Sequence, residues 1–401
     1  MEPPTLSAHR LRTRPLAVLA ELHAEPQDMV TRRYGERLVH YLRSPKLIEE
    51  LLATRHDDFT KLNYLPQHGE LQQARGRLIM SEERAEHVAA RKALGRLMSG
   101  APLAEISTAL DEQLARSVQD LPSTLELPEA AYGITADLTA AQLFDPAAKA
   151  DALTAAIERD LGGETPFRHK PREARMRDHD VVAEVIAGFE RLSAGDGRAV
   201  DALKPLADPF GVSDPELTFV LGGVYAAASE TTARALSWFV ALVASDEQIQ
   251  EALAGEVEAR ALADCALLRA AVLEAIRLFP PSWLIGRFAT TETTLGGTSL
   301  APGEVVLVVP YLMHRDARFY ASPEEYRPQR FLDVPPARWT FLPFGGGRRQ
   351  CIGERLALAE LDAFAFHLLR TFRLELTDGL PRPLPELTLS PEPFRIALSP
   401  R

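Results

Sequence analysis

Apolar residues recur at helical spacing in several long stretches and form short runs in others. The longest pattern opens at Asp214-Pro215-Glu216, an acidic, proline-containing helix start. It predicts a helix running to about Ala244, roughly 30 residues and about 45 Å long at 1.5 Å per residue. Phe219, Val220, Leu221, Val224, Leu236, Trp238, Phe239, Val240 and Leu242 make it apolar nearly all round, as expected of a central helix. A second long helix follows Cys351, apolar at Ile352, Leu356, Ala359, Ala363 and Phe366, that is at i, i+4, i+7, i+11 and i+14. Shorter helices are predicted over 16–22, 81–99, 104–118, 128–144 and 266–278, the last stopped by Pro280-Pro281. Ser44-Pro45 starts another, with Ser as N-cap and Pro in the first turn. Strands are predicted over 37–42 and 305–309, the latter buried, within a stretch of strands and turns from 291 to 310. A hairpin is predicted over 384–398, with Phe394 near its turn. The stretch 62–77 reads mostly as loop, and 145–201 as helices broken at Gly162-Gly163, Pro166, Pro171 and Gly195-Asp196-Gly197.

Composition narrows the possibilities. The 401 residues are 46% hydrophobic, enough for a large core, and the formal charge of −11 argues against a nucleic-acid partner. The only two cysteines, Cys265 and Cys351, make neither a zinc site nor a disulfide framework and point to a reducing, cytoplasmic setting. No signal-peptide core and no run of about 18 apolar residues is present, so no transmembrane anchor is expected. Gly345-Gly346-Gly347 lacks the Lys-Ser/Thr of a phosphate loop, and no zinc-protease or serine-hydrolase motif occurs.

Candidate chemistry concentrates in Phe344-Gly345-Gly346-Gly347-Arg348-Arg349-Gln350-Cys351-Ile352-Gly353. Cys351 falls at or just before a helix N-terminus, where the macrodipole and free N–H groups favour a thiolate. Alone, it reads equally well as a small buried apolar residue. Midway along the central helix stand Ala227-Ala228-Ser229-Glu230-Thr231-Thr232. A carboxylate and hydroxyls inside an apolar helix need a reason; hydroxyls bonding back to the helix is one, proton delivery another. Glu274-Ala275-Ile276-Arg277 spaces an acid and a guanidinium for pairing on one helix face, a pattern common by chance. His87 and Arg91 share a helix face that is otherwise an ordinary solvated basic surface.

The aromatic, glycine, arginine, cysteine and glycine at Phe344, Gly347, Arg349, Cys351 and Gly353 form F-x-x-G-x-[RH]-x-C-x-G. This resembles the haem-binding loop of the cytochrome P-450 family. The order of the other motifs, from His87 onward, extends the resemblance over nearly the whole chain. It implies one domain over 1–401, mainly α with a smaller β-rich lobe, the triangular helical prism of that fold around a haem. Cys351 is then the metal ligand to haem b (iron protoporphyrin IX). His87, Arg91, Arg287, Phe344, Arg349 and Gly353 become cofactor-binding residues. Glu230 and Thr231 match the catalytic acid–alcohol pair; Ala228 stands where the family usually has glycine. Glu274, Arg277 and Arg330 match a structural ion network, and His314-Arg315-Asp316 a structural pair after the strand. Ala227, Trp283, Leu284, Ile285 and Phe394 become pocket residues, although Trp283, Leu284 and Ile285 read equally as simple core.

The implied reaction is insertion of one oxygen atom of O2 into a C–H bond of a hydrophobic small molecule. Ferredoxin and ferredoxin reductase are the implied electron donors, since the chain shows no flavin or iron–sulfur motif; Arg348, Arg349 and Arg355 suit an acidic partner. A monomer is expected. The segment 274–287 is similar to short members that oxidise carotenoid rings, so a carotenoid or other terpenoid is the implied substrate. A peroxide-driven peroxygenase, a haem-thiolate isomerase or dehydratase, and a non-catalytic haem sensor are the alternatives; Glu230-Thr231 argues against the first and would be unexplained in the last.

Overall fold

Among the described residues, seven helices of thirteen residues or more build the frame: α1 Ala85–Leu97, α2 Gly100–Gln119, α3 Glu129–Leu143, α4 Asp214–Ala244, α5 Glu247–Ala259, α6 Ala266–Leu278 and α7 Glu354–Thr371. They are seen in a computed structural model that describes residues 3–61, 85–144, 197–206, 209 and 214–401. The predicted 62–77 loop and nearly all of the 145–201 segment lie outside the described residues.

The 31-residue α4 is central, as its all-round apolar pattern requires: it packs along α3 and also meets α5, α6 and α7. A hydrogen bond and an aromatic stack fix this packing. Thr135 of α3 donates from its hydroxyl to the carbonyl of Ser229 at 2.9 Å. Trp238 stacks on Phe279, just past α6, with ring centroids 3.7 Å apart, and the Arg315 guanidinium sits over the same Phe279 ring at 5.0 Å. The first-turn N–H groups of α6 would be orphaned, but Glu256 of α5 accepts from Leu267 and Leu268 at 3.0 and 2.8 Å. On α2, Ile106, Leu110, Leu114 and Val118 recur every fourth residue, and this buried stripe lies against α7.

A five-stranded sheet runs in the order β1 (Met29–Tyr34), β2 (Arg37–Leu42), β8 (Val305–Val308), β5 (Ile285–Ala289), β3 (Phe59–Lys61). Only β2 and β8 are parallel, and all four residues of β8 are buried. Its register sets Lys61 opposite Arg287. A small ribbon pairs β6 (Thr293–Leu295) with β7 (Thr298–Leu300). Elsewhere β12 (Phe394–Pro400) lies between β4 (Thr124–Leu127) and β9 (Phe372–Leu376). A large apolar cluster reaches from Leu19 to Leu398; a second, holding Leu52, Ile285, Val306 and Leu342, packs by the five-stranded sheet. Among the described residues no helix is long and apolar enough to cross a membrane.

The predicted 384–398 hairpin needs correction. The hairpin is β10 (Pro383–Pro385) with β11 (Leu389–Pro391), turning at 386–388. The alternating pattern continues past it, but Pro391-Glu392-Pro393 interrupts the ladder, and β12 joins a different sheet. Phe394 therefore pairs with Leu127, is 4% exposed, and is not near the turn.

Candidate active site

The cysteine loop is built from short local bonds. The N–H of Gly345 donates to Leu342, that of Gln350 to Gly347 and that of Cys351 to Phe344, at 3.0, 3.1 and 2.9 Å. Gly347 has φ +69°, and a Cβ there would lie 1.9 Å from the carbonyl oxygen of Leu52, so the loop closes on its neighbour only with glycine. A Cβ on Gly353 would meet Sγ of Cys351 at 3.8 Å, an ordinary contact. α7 starts immediately after, at Glu354. Phe344 is half-buried against the large apolar cluster.

Cys351 is exposed at its surface, although most of its surroundings are protein. Burial pushes its thiol up; the backbone N–H of Gly353 pulls it down, Glu354 raises it, and Arg91 and Lys61 lower it. Burial thus works against the thiolate that the helix start favours. A metal on the sulfur reverses this, because a coordinating thiol is deprotonated.

Positive charge converges beside the loop. Arg91, one turn beyond the buried His87 on α1, donates to the carbonyl of Gln350 at 2.6 Å. Lys61, missed in the sequence, is pushed down to about 7, chiefly by burial and then by Arg287, Arg349 and Arg91. No local sequence signal marked it; the register of β3 against β5 sets it opposite Arg287. Such a gathering of cations calls for anions. A haem brings two carboxylates and an iron that takes one sulfur, so the donor set fits it.

On α4, Ala227 is open and Ala228, Glu230 and Thr231 are partly so. Thr231 donates back to the carbonyl of Ala227 at 2.7 Å, the helix back-bond that its position allows. Oε1 of Glu230 accepts from the Thr388 hydroxyl at 2.8 Å. Thr388 sits at the true hairpin turn and brings that hairpin to the acid. Glu386, in the same turn, is raised by burial, lowered by Arg234 and raised again by Glu230. The i, i+4 spacing of Glu230 and Arg234 was visible in the sequence; the hairpin partners had no local signal. Thr232 bonds Glu360 of α7, whose carboxyl burial pushes up to about 8.

Of the proposed pocket residues, Trp283 is 1% exposed and donates from its indole to the carbonyl of Glu386 at 2.9 Å. Leu284 joins the large cluster with it, while Ile285 points into the second cluster with Val308 and Leu342.

The ion network is assembled and dry. All five N–H groups of Arg277 are matched: two to Glu274 at 2.7 and 2.9 Å, and one each to the carbonyls of His314, Pro323 and Glu325. Arg330 Nε and the Arg327 N–H add bonds to Glu274 at 2.8 and 3.0 Å. Glu274 and Arg277 are fully buried. His314 carries this network to the cysteine loop, since its Nε2 accepts from Leu342 N–H at 2.8 Å.

Comparison with known proteins agrees with this assembly. The family model for Cytochrome P450 matches residues 172–398, more than half of the chain. Cyclooctatin synthase of Streptomyces melanosporofaciens is 27% identical over 99% of this chain and 94% of its own. Cyclooctat-9-en-7-ol 5-monooxygenase of the same organism is 29% identical over 56% of this chain and 51% of its own. Putative cytochrome P450 132 of Mycobacterium tuberculosis is 34% identical over 42% of this chain and 38% of its own. The match over 172–398 shows that the chain, with its cysteine loop tied through His314 to the buried Glu274–Arg277–Arg330 network, belongs to the cytochrome P450 family.

Proposed function

We propose that Cys351 ligates the iron of haem b, and that the chain hydroxylates a hydrophobic small molecule of the terpenoid or carotenoid class. As a cytochrome P450 the protein is a haem-dependent monooxygenase that uses O2 and takes electrons from redox partners. The observation that carries the assignment of Cys351 is its exposed sulfur, gathered with Lys61, Arg91, Arg287 and Arg349.

When bound, the haem supplies oxygen activation, with the thiolate feeding electron density toward O–O cleavage. The residues of this chain do the rest. Lys61, Arg287 and Arg349 would hold the haem carboxylates; Arg91 holds the loop at Gln350 and adds charge beside it; His87 and Phe344 would complete the cradle. Thr231 and Glu230 would pass protons to the reacting oxygen. Ala227 and Ala228 would shape the oxygen side of the site, with Trp283 and Leu284 supporting its apolar wall. Glu274, Arg277 and Arg330 touch no reacting atom and keep the loop in place.

The substrate class rests on the similarity of 274–287 to carotenoid-ring oxidisers and on a relative named for oxidising cyclooctat-9-en-7-ol. Ferredoxin with ferredoxin reductase suits the exposed Lys92, Arg348 and Arg355 around the cysteine loop. The large cluster from Leu19 to Leu398 supports a single domain over 1–401, and we read the chain as a monomer. Two unbridged cysteines support a cytoplasmic setting.

Turnover of β-carotene and a panel of cyclic terpenoids with NAD(P)H, ferredoxin and ferredoxin reductase tests the function. Product that needs reductant and O2 is expected. Product formed from peroxide alone, or without any oxidant, contradicts it.

A further inference from the structure

Glu230 is held from outside its own helix. Its Oε1 accepts a 2.8 Å hydrogen bond from a hydroxyl 158 residues away, that of Thr388. Thr388 is 7% exposed and lies in the turn between β10 and β11. That turn is anchored from three positions. Trp238 of α4 donates its indole N–H to the carbonyl of Leu389 at 3.0 Å. Trp283 donates to the carbonyl of Glu386 at 2.9 Å. The N–H of Leu389 donates to Pro281 at 3.0 Å. A buried indole N–H needs an acceptor, but nothing in core packing requires two of them to converge on one short turn. Both anchors leave Thr388 in one place relative to α4, and Trp238 lies two helical turns beyond Glu230. Arg234, one turn after Glu230, and Glu386, in the turn itself, are the charged groups of the same cluster.

A carboxylate at the end of a glutamate side chain has several rotamers to choose from, and proton transfer needs one of them. A hydroxyl donor bonded to Oε1 selects one and leaves Oε2 for exchange with Thr231 and water. We infer that Thr388 is a positioning residue for Glu230, and that the anchored hairpin turn clamps this acid for proton delivery. The inference rests on the monooxygenase reading.

The consequence is one of partition. With two electrons and two protons, O2 either leaves as hydrogen peroxide or is cleaved, one oxygen leaving as water and the other entering the substrate. Poorly directed protons favour peroxide. The test compares wild type, Thr388→Val, Thr388→Ser and Glu230→Gln, reading hydrogen peroxide released per NADH oxidised with ferredoxin, its reductase and β-carotene present. Thr388→Val keeps the shape and removes the donor; peroxide per NADH should rise roughly three- to tenfold, a part of what general-acid catalysis contributes. Thr388→Ser should restore the wild-type ratio. Thr388→Val should add nothing to Glu230→Gln, because both break one unit. A crystal structure of Thr388→Val should show Glu230 displaced, with haem content and thermal midpoint near wild type.

A Thr388→Val ratio equal to wild type with Glu230 unmoved overturns the inference. So does a Ser variant as impaired as Val, or effects that add to those of Glu230→Gln; each marks packing alone. Failure of the underlying reading looks different. Wild-type protein would then consume no NADH, or its reduced carbonmonoxy form would lack the red-shifted thiolate Soret band.

Discussion

His314 accepts a hydrogen bond from the backbone N–H of Leu342 at 2.8 Å, three residues before the glycine run of the cysteine loop. Because Nε2 accepts, Nδ1 carries the proton and donates to the carbonyl of Arg277 at 2.9 Å. One neutral imidazole thus couples the buried ion network to the haem loop. His314→Ala orphans a buried N–H and a buried carbonyl at once. We expect a loss of about 2–4 kcal/mol in unfolding free energy and a fall in haem per chain, read by denaturant titration and pyridine haemochrome. Unchanged haem content would show that the link does not support the loop.

Breaking the network itself should be worse than weakening its rim. Glu274→Ala leaves Arg277 buried and uncompensated, and should cost about 3–5 kcal/mol, so that haem-loaded protein is scarce. Arg330→Lys, where the side chain is partly exposed, should cost only about 1 kcal/mol. Activity per bound haem should stay near wild type in whatever folds, since neither residue meets the reacting atoms.

Gly347 and Gly345 separate backbone strain from collision. Both have positive φ, but only a Cβ on Gly347 strikes the Leu52 carbonyl; the space around Gly345 is open. Gly345→Ala should cost about 1 kcal/mol, and Gly347→Ala roughly 3 kcal/mol or more with loss of haem. Equal effects would contradict the loop packing.

Two buried groups give opposite pH dependences. Burial pushes His314 down from 6.5 to about 3. Its contribution is fully present above the unfolded value and is lost as pH falls from about 6.5 toward 3, because the unfolded chain binds the extra proton. Burial pushes Glu360 up from 4.5 to about 8. There the folded state holds the proton, so stability declines as pH rises from about 4.5 to 8. Each slope approaches about 1.4 kcal/mol per pH unit. Glu360→Gln should therefore gain on wild type as pH rises through that window, and a pH-independent difference would refute the assignment.

Thr231→Ala should leave haem binding intact and raise peroxide release at the expense of product. Among the described residues its hydroxyl bonds back to Ala227, so little stability depends on it, and the thermal midpoint should move by no more than a few degrees. Unchanged coupling would remove Thr231 from proton delivery.

What the sequence disclosed was what is local. The helix 266–278 matches at both ends, because its apolar period is clear and Pro280-Pro281 stops it. Glu274 and Arg277 pair as their i, i+3 spacing requires, and Arg330 joins them as the motif order implied. The misses are tertiary. Thr388 reaches Glu230 across 158 residues, and Lys61 meets Arg287 only through strand register. The 384–398 hairpin was overextended because alternation alone does not mark where β12 changes sheets. For Cys351, the helix start is visible in the sequence, whereas the burial that opposes a thiolate is a property of the folded chain.

The account depends most on the sulfur of Cys351 as iron ligand. The measurement that reaches it directly is the absorption spectrum of dithionite-reduced protein under carbon monoxide, for wild type and Cys351→Ser. A red-shifted thiolate Soret band in wild type, lost in Cys351→Ser while haem remains bound, is the predicted result. An unshifted band in wild type, or a shifted band that survives in Cys351→Ser, would contradict it.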